Sequence, residues 1–238
     1  MLETVNLQEV KDKLYEKMKV CGWGQYLRTF MTSSDMEIIL ERLLFDARDN
    51  KRFTPTMKDL LRAFEECPFD KVNVVFIGQD PYPQMDVADG LAFSCSKRNR
   101  VELSLHHINN SIKDTYDPNY NVDRTDLLPW AQQGVLLLNS AFTTTIGKPG
   151  THQLLWKPFL VTVLDALVWN RPNLIYVFIG KQAQQYADII PDNNYKIMVS
   201  HPASVAYTST AKWNCENLWG RVNDYLEKQN KPKIIWGT

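Results

Sequence analysis

Cysteine is sparse in this chain: Cys21, Cys67, Cys95 and Cys215 lie far apart and form no C-x-x-C pair. That spacing signals neither a zinc site nor an iron-sulfur cluster, so no metal or cofactor is expected and buried free thiols are. Long apolar runs are missing as well, and none approaches membrane-spanning length. The opening segment MLETVNLQEVKDKLYEKMKV mixes acidic and basic residues at short intervals. It has neither the apolar stretch of a secretory signal nor the Arg/Ser-rich character of a transit peptide. The expected compartment is therefore reducing and cytoplasmic, or nuclear in a eukaryotic host. Net charge is absent too, because 27 Lys and Arg balance 27 Asp and Glu. Any nucleic-acid contact must then come from local clusters of positive charge.

No Gly/Ser linker, internal repeat or low-complexity block interrupts the 238 residues, which points to one domain over 1–238. A hydrophobic content of 44% against 23% charged residues excludes a disordered chain and allows a substantial core. Helical periodicity dominates residues 1–52. Ser34 with Glu37 reads as a capping box ahead of Met36, Ile39, Leu40, Leu43 and Leu44. A second start is expected at Thr56, with Asp59 reaching back, Met57, Leu60, Leu61 and Phe64 forming a stripe, and Pro68 closing the segment.

From Val72 the pattern changes to short apolar runs: VNVVFI from Val72, VLLL from Val135, LIYVFI from Leu174 and YKIMV from Tyr195. Near-continuous apolarity suits parallel strands covered on both faces. Between and after them, Trp156, Phe159, Leu160, Val163, Leu164 and Leu167, then Cys215, Leu218, Trp219, Val222 and Leu226, recur at helical spacing. The alternation implies an α/β fold with a central four-stranded parallel sheet flanked by helices. Unusual polar residues fall just past the strand ends: Gln79 and Asp80, Asn139, Gly180 and Lys181, then Ser200 and His201. The carboxyl ends of parallel strands form a ligand crevice, so four distant loops are expected to meet there.

The loop GQDPYP, 78–83, sets a carboxylate and Tyr82 between stiffening prolines. GLAFS, 90–94, places Phe93 as either core or a stacking platform. LLLNS ends a strand on Asn139, whose planar amide suits an imide edge if it is pinned and otherwise caps a turn. SHPASVAY, 200–207, carries His201 and Pro202. His106, His107 and His152 have no ligand spacing and are expected to be exposed and non-catalytic.

In this order, GQDPYP, GLAFS, LLLNS and SHP resemble the metal-independent uracil-DNA glycosylase family, over a stretch from Phe53 to the terminal KIIWGT. The resemblance implies excision of uracil from DNA, single- or double-stranded, by a monomeric enzyme. It also implies a protein inhibitor or replication partner as candidate protein contacts. Asp80 would orient the attacking water and stabilise the cationic sugar, and His201 would hydrogen-bond uracil O2. Gln79 would help hold O2, Asn139 would read N3 and O4, Phe93 would stack on the base, and Tyr82 would wall off C5. Ser104, Lys181, Pro202, Ser204 and Val205 fall at positions of DNA contact. The chain departs from the pattern with Pro83 for a histidine, Ala203 for a serine, Val205 for a wedging leucine and Lys181 for a serine. SKRNRVELS, 96–104, replaces a proline-rich loop, and its Lys97, Arg98 and Arg100 are expected to grip phosphate. Two other readings are a catalytically silent DNA-binding replication accessory protein on the same fold, and a glycosylase for mismatches or other lesions. Asp80, Asn139 and His201 oppose the first, Tyr82 and Asn139 the second.

Overall fold

A computed structural model describes residues 6–207 and 212–237; the expectation of one domain over 1–238 extends beyond them at both ends. Three helices open the described chain: α1 (Leu7–Val20), α2 (Gly24–Thr32) and α3 (Ser34–Arg48). Asn6 caps α1 by accepting from the Gln8 and Glu9 backbones. The cap of α3 is Ser33, not Ser34: its hydroxyl accepts from the Asp35 backbone while its own backbone is extended. Two adjacent serines carry the same local signal, and the extended one takes the cap.

The expected helix at Thr56 is largely replaced by turns. Thr56 does bond Asp59, over 2.7 Å, but the helix α4 (Arg62–Glu66) begins only at residue 62. Here tertiary contact overrides the apolar stripe. Gly90 passes so close that a Cβ on it would lie 2.2 Å from the Asp59 carbonyl oxygen, and Lys97 holds the Asp59 carboxylate at 2.6 Å.

The four expected strands form as β2 (Val74–Gly78), β3 (Val135–Asn139), β5 (Ile175–Ile179) and β6 (Tyr195–Val199). They pair in the order β3-β2-β5-β6, every pair parallel. All five residues of β2 and of β5 are buried, as expected of central strands covered on both faces. The covering helices are α5 (Leu103–Thr115), α6 (Leu128–Gln132), α7 (Gln153–Asn170) and α9 (Leu218–Lys228). Cys215 precedes α9 instead of joining it, because Glu216 and Asn217 adopt left-handed backbone conformations ahead of the helix. Trp236, from the terminal KIIWGT, packs with Trp130 and Trp219 at ring separations of 5.1 Å. Its carbonyl accepts the Trp130 indole N–H. All four cysteines are free and buried.

A two-stranded sheet that the sequence did not announce pairs β1 (Phe53–Thr54) with β4 (Thr144–Thr145), antiparallel. Four Thr or Phe residues carry too short a pattern to be read locally. Helices α2 and α3 pack on α7, which joins the N-terminal segment to the rest of the domain. No helix among the described residues is long and apolar enough to cross a membrane.

Candidate active site

The register of the sheet builds the site. Gly78 lies opposite Asn139 where β2 and β3 end, and the loops that follow these ends and that of β6 converge on one cavity of about 210 Å³. That is smaller than the roughly 300–1,000 Å³ of pockets for drug-sized ligands, a size suited to a single ring. Gln79, Asp80, Tyr82, Phe93, Ser104, Asn139 and His201 all line it. Seven residues spread over more than 120 positions of sequence thus share one enclosure.

Two glycines make the enclosure tight. A Cβ on Gly78 would fall 2.7 Å from Asn139 Oδ1 and 3.0 Å from Phe93 Cζ, so only a bare backbone lets both side chains close on the cavity floor. Gly180, at φ +87°, would bring a Cβ to 3.0 Å from that of His201. Phe93 itself adopts φ +67°, a costly conformation for an aromatic residue that persists only where the surroundings enforce it. The enforcement is visible. Tyr82 donates its hydroxyl to the Phe93 carbonyl over 2.9 Å. Asp89, buried, accepts from the Leu91 backbone, from the Ser94 hydroxyl, and from both the backbone and hydroxyl of Ser96. Arg62 pairs with the same carboxylate at 3.2 Å. Sequence reasoning missed Asp89; its signal was the cluster of small polar residues around GLAFS.

Asp80 is half-buried, and its Oδ2 accepts the Gly150 backbone N–H over 2.5 Å. Burial raises its pKa above the ordinary value, against hydrogen bonds from the Gly150 backbone and the Thr144 and Gln79 side chains, which favour the charged form. The result is a carboxylate more basic than one in water. His201 is shifted the other way, because burial lowers its pKa and disfavours the imidazolium. Ala203 donates its backbone N–H to His201 Nδ1. A neutral ring that accepts at Nδ1 carries its proton on Nε2. The Tyr82 phenol stays protonated, since burial pushes its pKa well up. Among the described residues no group of three or more His, Cys, Asp or Glu side chains is gathered to hold a metal ion.

The expected DNA-contacting residues separate into two groups. Ser104, near the start of α5, reaches the cavity, and the turn Pro202–Tyr207 packs on α5. Within that turn Ser204 is exposed, Val205 half-buried and Pro202 buried. Lys181, exposed, opens the short helix α8 (Lys181–Gln184). In the 96–104 loop Lys97 is committed to Asp59 and Arg98 to the Met85 carbonyl. Arg100 is exposed and makes no ion pair among the described residues. The loop therefore presents less unpaired charge than its sequence suggests.

The expectation for His152 is corrected. It is 1% exposed, with Nδ1 at 2.8 Å from Thr143 Oγ1 and Nε2 at 3.0 Å from Asp46 Oδ2. Its partner carboxylate lies 106 residues earlier, beyond the reach of any local pattern. His107 is half-buried and not fully exposed, while His106 is exposed as expected; both lie on α5.

Comparison with known proteins agrees with this geometry. The family model described as Uracil DNA glycosylase superfamily matches residues 64–226. A uracil-DNA glycosylase of Dichelobacter nodosus is 36% identical over 208 residues, 86% of this chain and 89% of the relative. One from Porphyromonas gingivalis is 31% identical over 217 residues, 90% of this chain and 96% of the relative. The crystal structure of mimivirus uracil-DNA glycosylase superimposes with a TM-score of 0.83 over 98% of this chain and 89% of that one, at 24% identity, a likeness of fold. Matching motifs, sheet and cavity thus converge, and the chain belongs to the uracil-DNA glycosylase superfamily.

Proposed function

We propose that the chain removes uracil from DNA by hydrolysing the N-glycosidic bond, leaving free uracil and an abasic site, and that it acts as a monomer on single- or double-stranded DNA. The observation that carries this reading is the joint lining of one ring-sized cavity by Asp80 and His201, with Phe93, Asn139 and Tyr82 between them. Breaking an N-glycosidic bond develops positive charge on the sugar and negative charge on the departing base, so a catalyst must stabilise opposite charges at two places. Asp80 stands at the sugar end, orienting water and countering the cation. His201, neutral with its proton on Nε2, donates to O2 of the leaving uracil. A neutral donor suits this task, because it can strengthen its hydrogen bond as charge grows on O2 without first giving up a proton.

Phe93 stacks on the flipped base, and Asn139 reads N3-H and O4. Gln79, whose side chain also bonds Asp80, assists at O2. Tyr82 excludes the thymine methyl. Attractive contacts would distinguish one methyl by only about 1–3 kcal/mol, so a fixed wall is needed, and the hydrogen bond from Tyr82 to the Phe93 carbonyl holds that wall in place. Extruding the base costs a few kcal/mol, roughly. Ser104, Arg98, Arg100, Lys181, Pro202, Ser204 and Val205 are assigned to the DNA contacts that offset it. The complete catalytic set argues against a silent DNA-binding accessory protein.

The test is incubation with a labelled oligonucleotide carrying one uracil, followed by alkali, beside the same strand with thymine. Strand scission at uracil and none at thymine is expected. An intact uracil strand at high enzyme concentration would remove the reading.

A further inference from the structure

The fold gives Asp46, on the N-terminal helix α3, a place in a hydrogen-bonded chain that holds the segment from which the Gly150 N–H reaches Asp80. Its Oδ2 accepts from His152 Nε2 over 3.0 Å and from Arg42 Nε over 3.1 Å. Trp156 donates its indole N–H to Thr143 Oγ1 over 2.7 Å, and Thr143 Oγ1 lies 2.8 Å from His152 Nδ1. These contacts fix the proton positions. A carboxylate at Nε2 requires the proton there, so in the neutral ring Nδ1 must accept the Thr143 hydroxyl. Burial, the largest influence on His152, lowers its pKa and favours that neutral form.

One imidazole thereby ties together the two ends of the segment 143–152, which carries β4 and the loop that joins it to α7. Thr143 immediately precedes β4, and His152 sits at the N-cap of α7 without its side chain capping the helix. Two residues before His152, the Gly150 backbone N–H meets Asp80. Thr144, next to Thr143, donates its hydroxyl to the Lys148 carbonyl, which ties β4 to the same loop. Asp46 is itself an odd choice for stability alone. It is 1% exposed, and its Oδ1 meets no hydrogen-bond donor among the described residues, an arrangement that costs folding energy and calls for a reason other than stability.

We infer that Asp46 is a positioning residue for the excision reaction: through His152 it locks the loop that delivers the Gly150 N–H to Asp80. The inference rests on the proposed function for its kinetic consequence and on geometry for the rest. It gives the N-terminal segment, which precedes the residues 64–226 matched by the family model, a part in setting the water-orienting carboxylate. Loosening the loop weakens a hydrogen bond that favours the charged form of Asp80, so the Asp80 pKa rises and the acid limb of activity moves to higher pH. The groups that favour the charged form of Asp80 are Gln79, Thr144 and Gly150, none of them charged, and the titratable side chains that share its cavity are Tyr82 and His201. Those facing His152 are Asp46, Thr143 and Thr145, with Arg42 behind Asp46.

The experiment compares the wild type with Asp46→Ala, Asp46→Asn and Thr143→Val. It follows kcat and KM for uracil release and the carbon-13 NMR titration of the Asp80 carboxyl, and checks each fold by thermal melting. Asp46→Ala is expected to lower kcat by about tenfold or more, since small misplacements of a catalytic group carry penalties of that order. KM should change less than about twofold, because the base-binding walls are untouched. The Asp80 titration should move to higher pH. Asp46→Asn, which keeps an acceptor for Nε2-H, should recover most of the loss. Thr143→Val keeps the shape of the side chain and serves should Asp46→Ala not fold. A folded variant of either kind with an unmoved Asp80 titration and unchanged kcat would overturn the inference. Were the wild type to release no uracil, the functional reading would fall, while the Asp80 titration would still decide this one.

Discussion

The backbone N–H of Ala203 donates to Nδ1 of His201 over 3.2 Å, and this contact sets the tautomer on which the proposed chemistry depends. It leaves the only ring proton on Nε2. A turn beginning at Pro202 supplies the contact, so the residue that departs from the family pattern at 203 contributes through its backbone, whatever its side chain.

Burial shifts the pKa values of Asp80 and His201 in opposite senses, and in the proposed mechanism protonation of either group in acid lowers activity. In the proposed roles Asp80 acts charged, and burial raises its pKa above 3.8; His201 acts neutral, and burial lowers its pKa below 6.5. The profile of kcat/KM against pH should therefore fall on the acid side, with no alkaline limb from either group. An activity that rises as pH falls below 6.5 would contradict the assignment of a neutral His201.

Asp80→Asn should separate function from stability. Turnover should drop by about two orders of magnitude or more if electrostatic and positioning effects act together. Because the folded state raises the Asp80 pKa, the charged carboxyl opposes folding above that pKa and ceases to do so once pH falls below the unfolded value. The variant should accordingly melt at a higher temperature than the wild type at neutral pH, and the difference should vanish in acid near pH 3. Thermal melts at the two pH values check the sign.

Tyr82→Ala should admit thymine, and Asn139→Asp should shift preference toward cytosine by exchanging a donor for an acceptor. Competition among uracil, thymine and cytosine strands measures both. Failure of both changes to appear would mean that the pocket walls are misassigned.

The loop 96–104 makes a graded prediction. Arg100, exposed and without an ion pair among the described residues, should account for the larger effect: Arg100→Ala should reduce the salt slope of duplex binding by about 0.9 if it contacts one phosphate. Lys97 is held by Asp59 at 2.6 Å, so Lys97→Ala should change the slope less. Binding titrations across a range of salt concentrations distinguish them, and equal slopes for both variants and the wild type would leave the loop without a role on DNA.

The sheet was legible because its central strands are buried on both faces, so VVFI and IYVFI had to be apolar throughout. The crevice was legible because Gln79, Asp80, Asn139 and His201 interrupt that apolarity at the strand ends. What escaped was decided by partners far away in sequence. The burial of His152 depends on Asp46 and Thr143, and the strained turn at Phe93 depends on Asp89. The helix expected from Thr56 gave way to Gly90 and Lys97 crossing over Asp59. Ser33 and Ser34 are chemically the same residue, and only their backbone conformations tell them apart.

Single-turnover release of uracil from a uracil-containing strand, measured side by side for the wild type, Asp80→Asn and His201→Ala, tests the proposed roles of the two residues most directly. The wild type should release uracil rapidly, with both variants slower by about two orders of magnitude or more while still folded. Equal rates for all three, or no release by the wild type in excess over DNA, would contradict those roles.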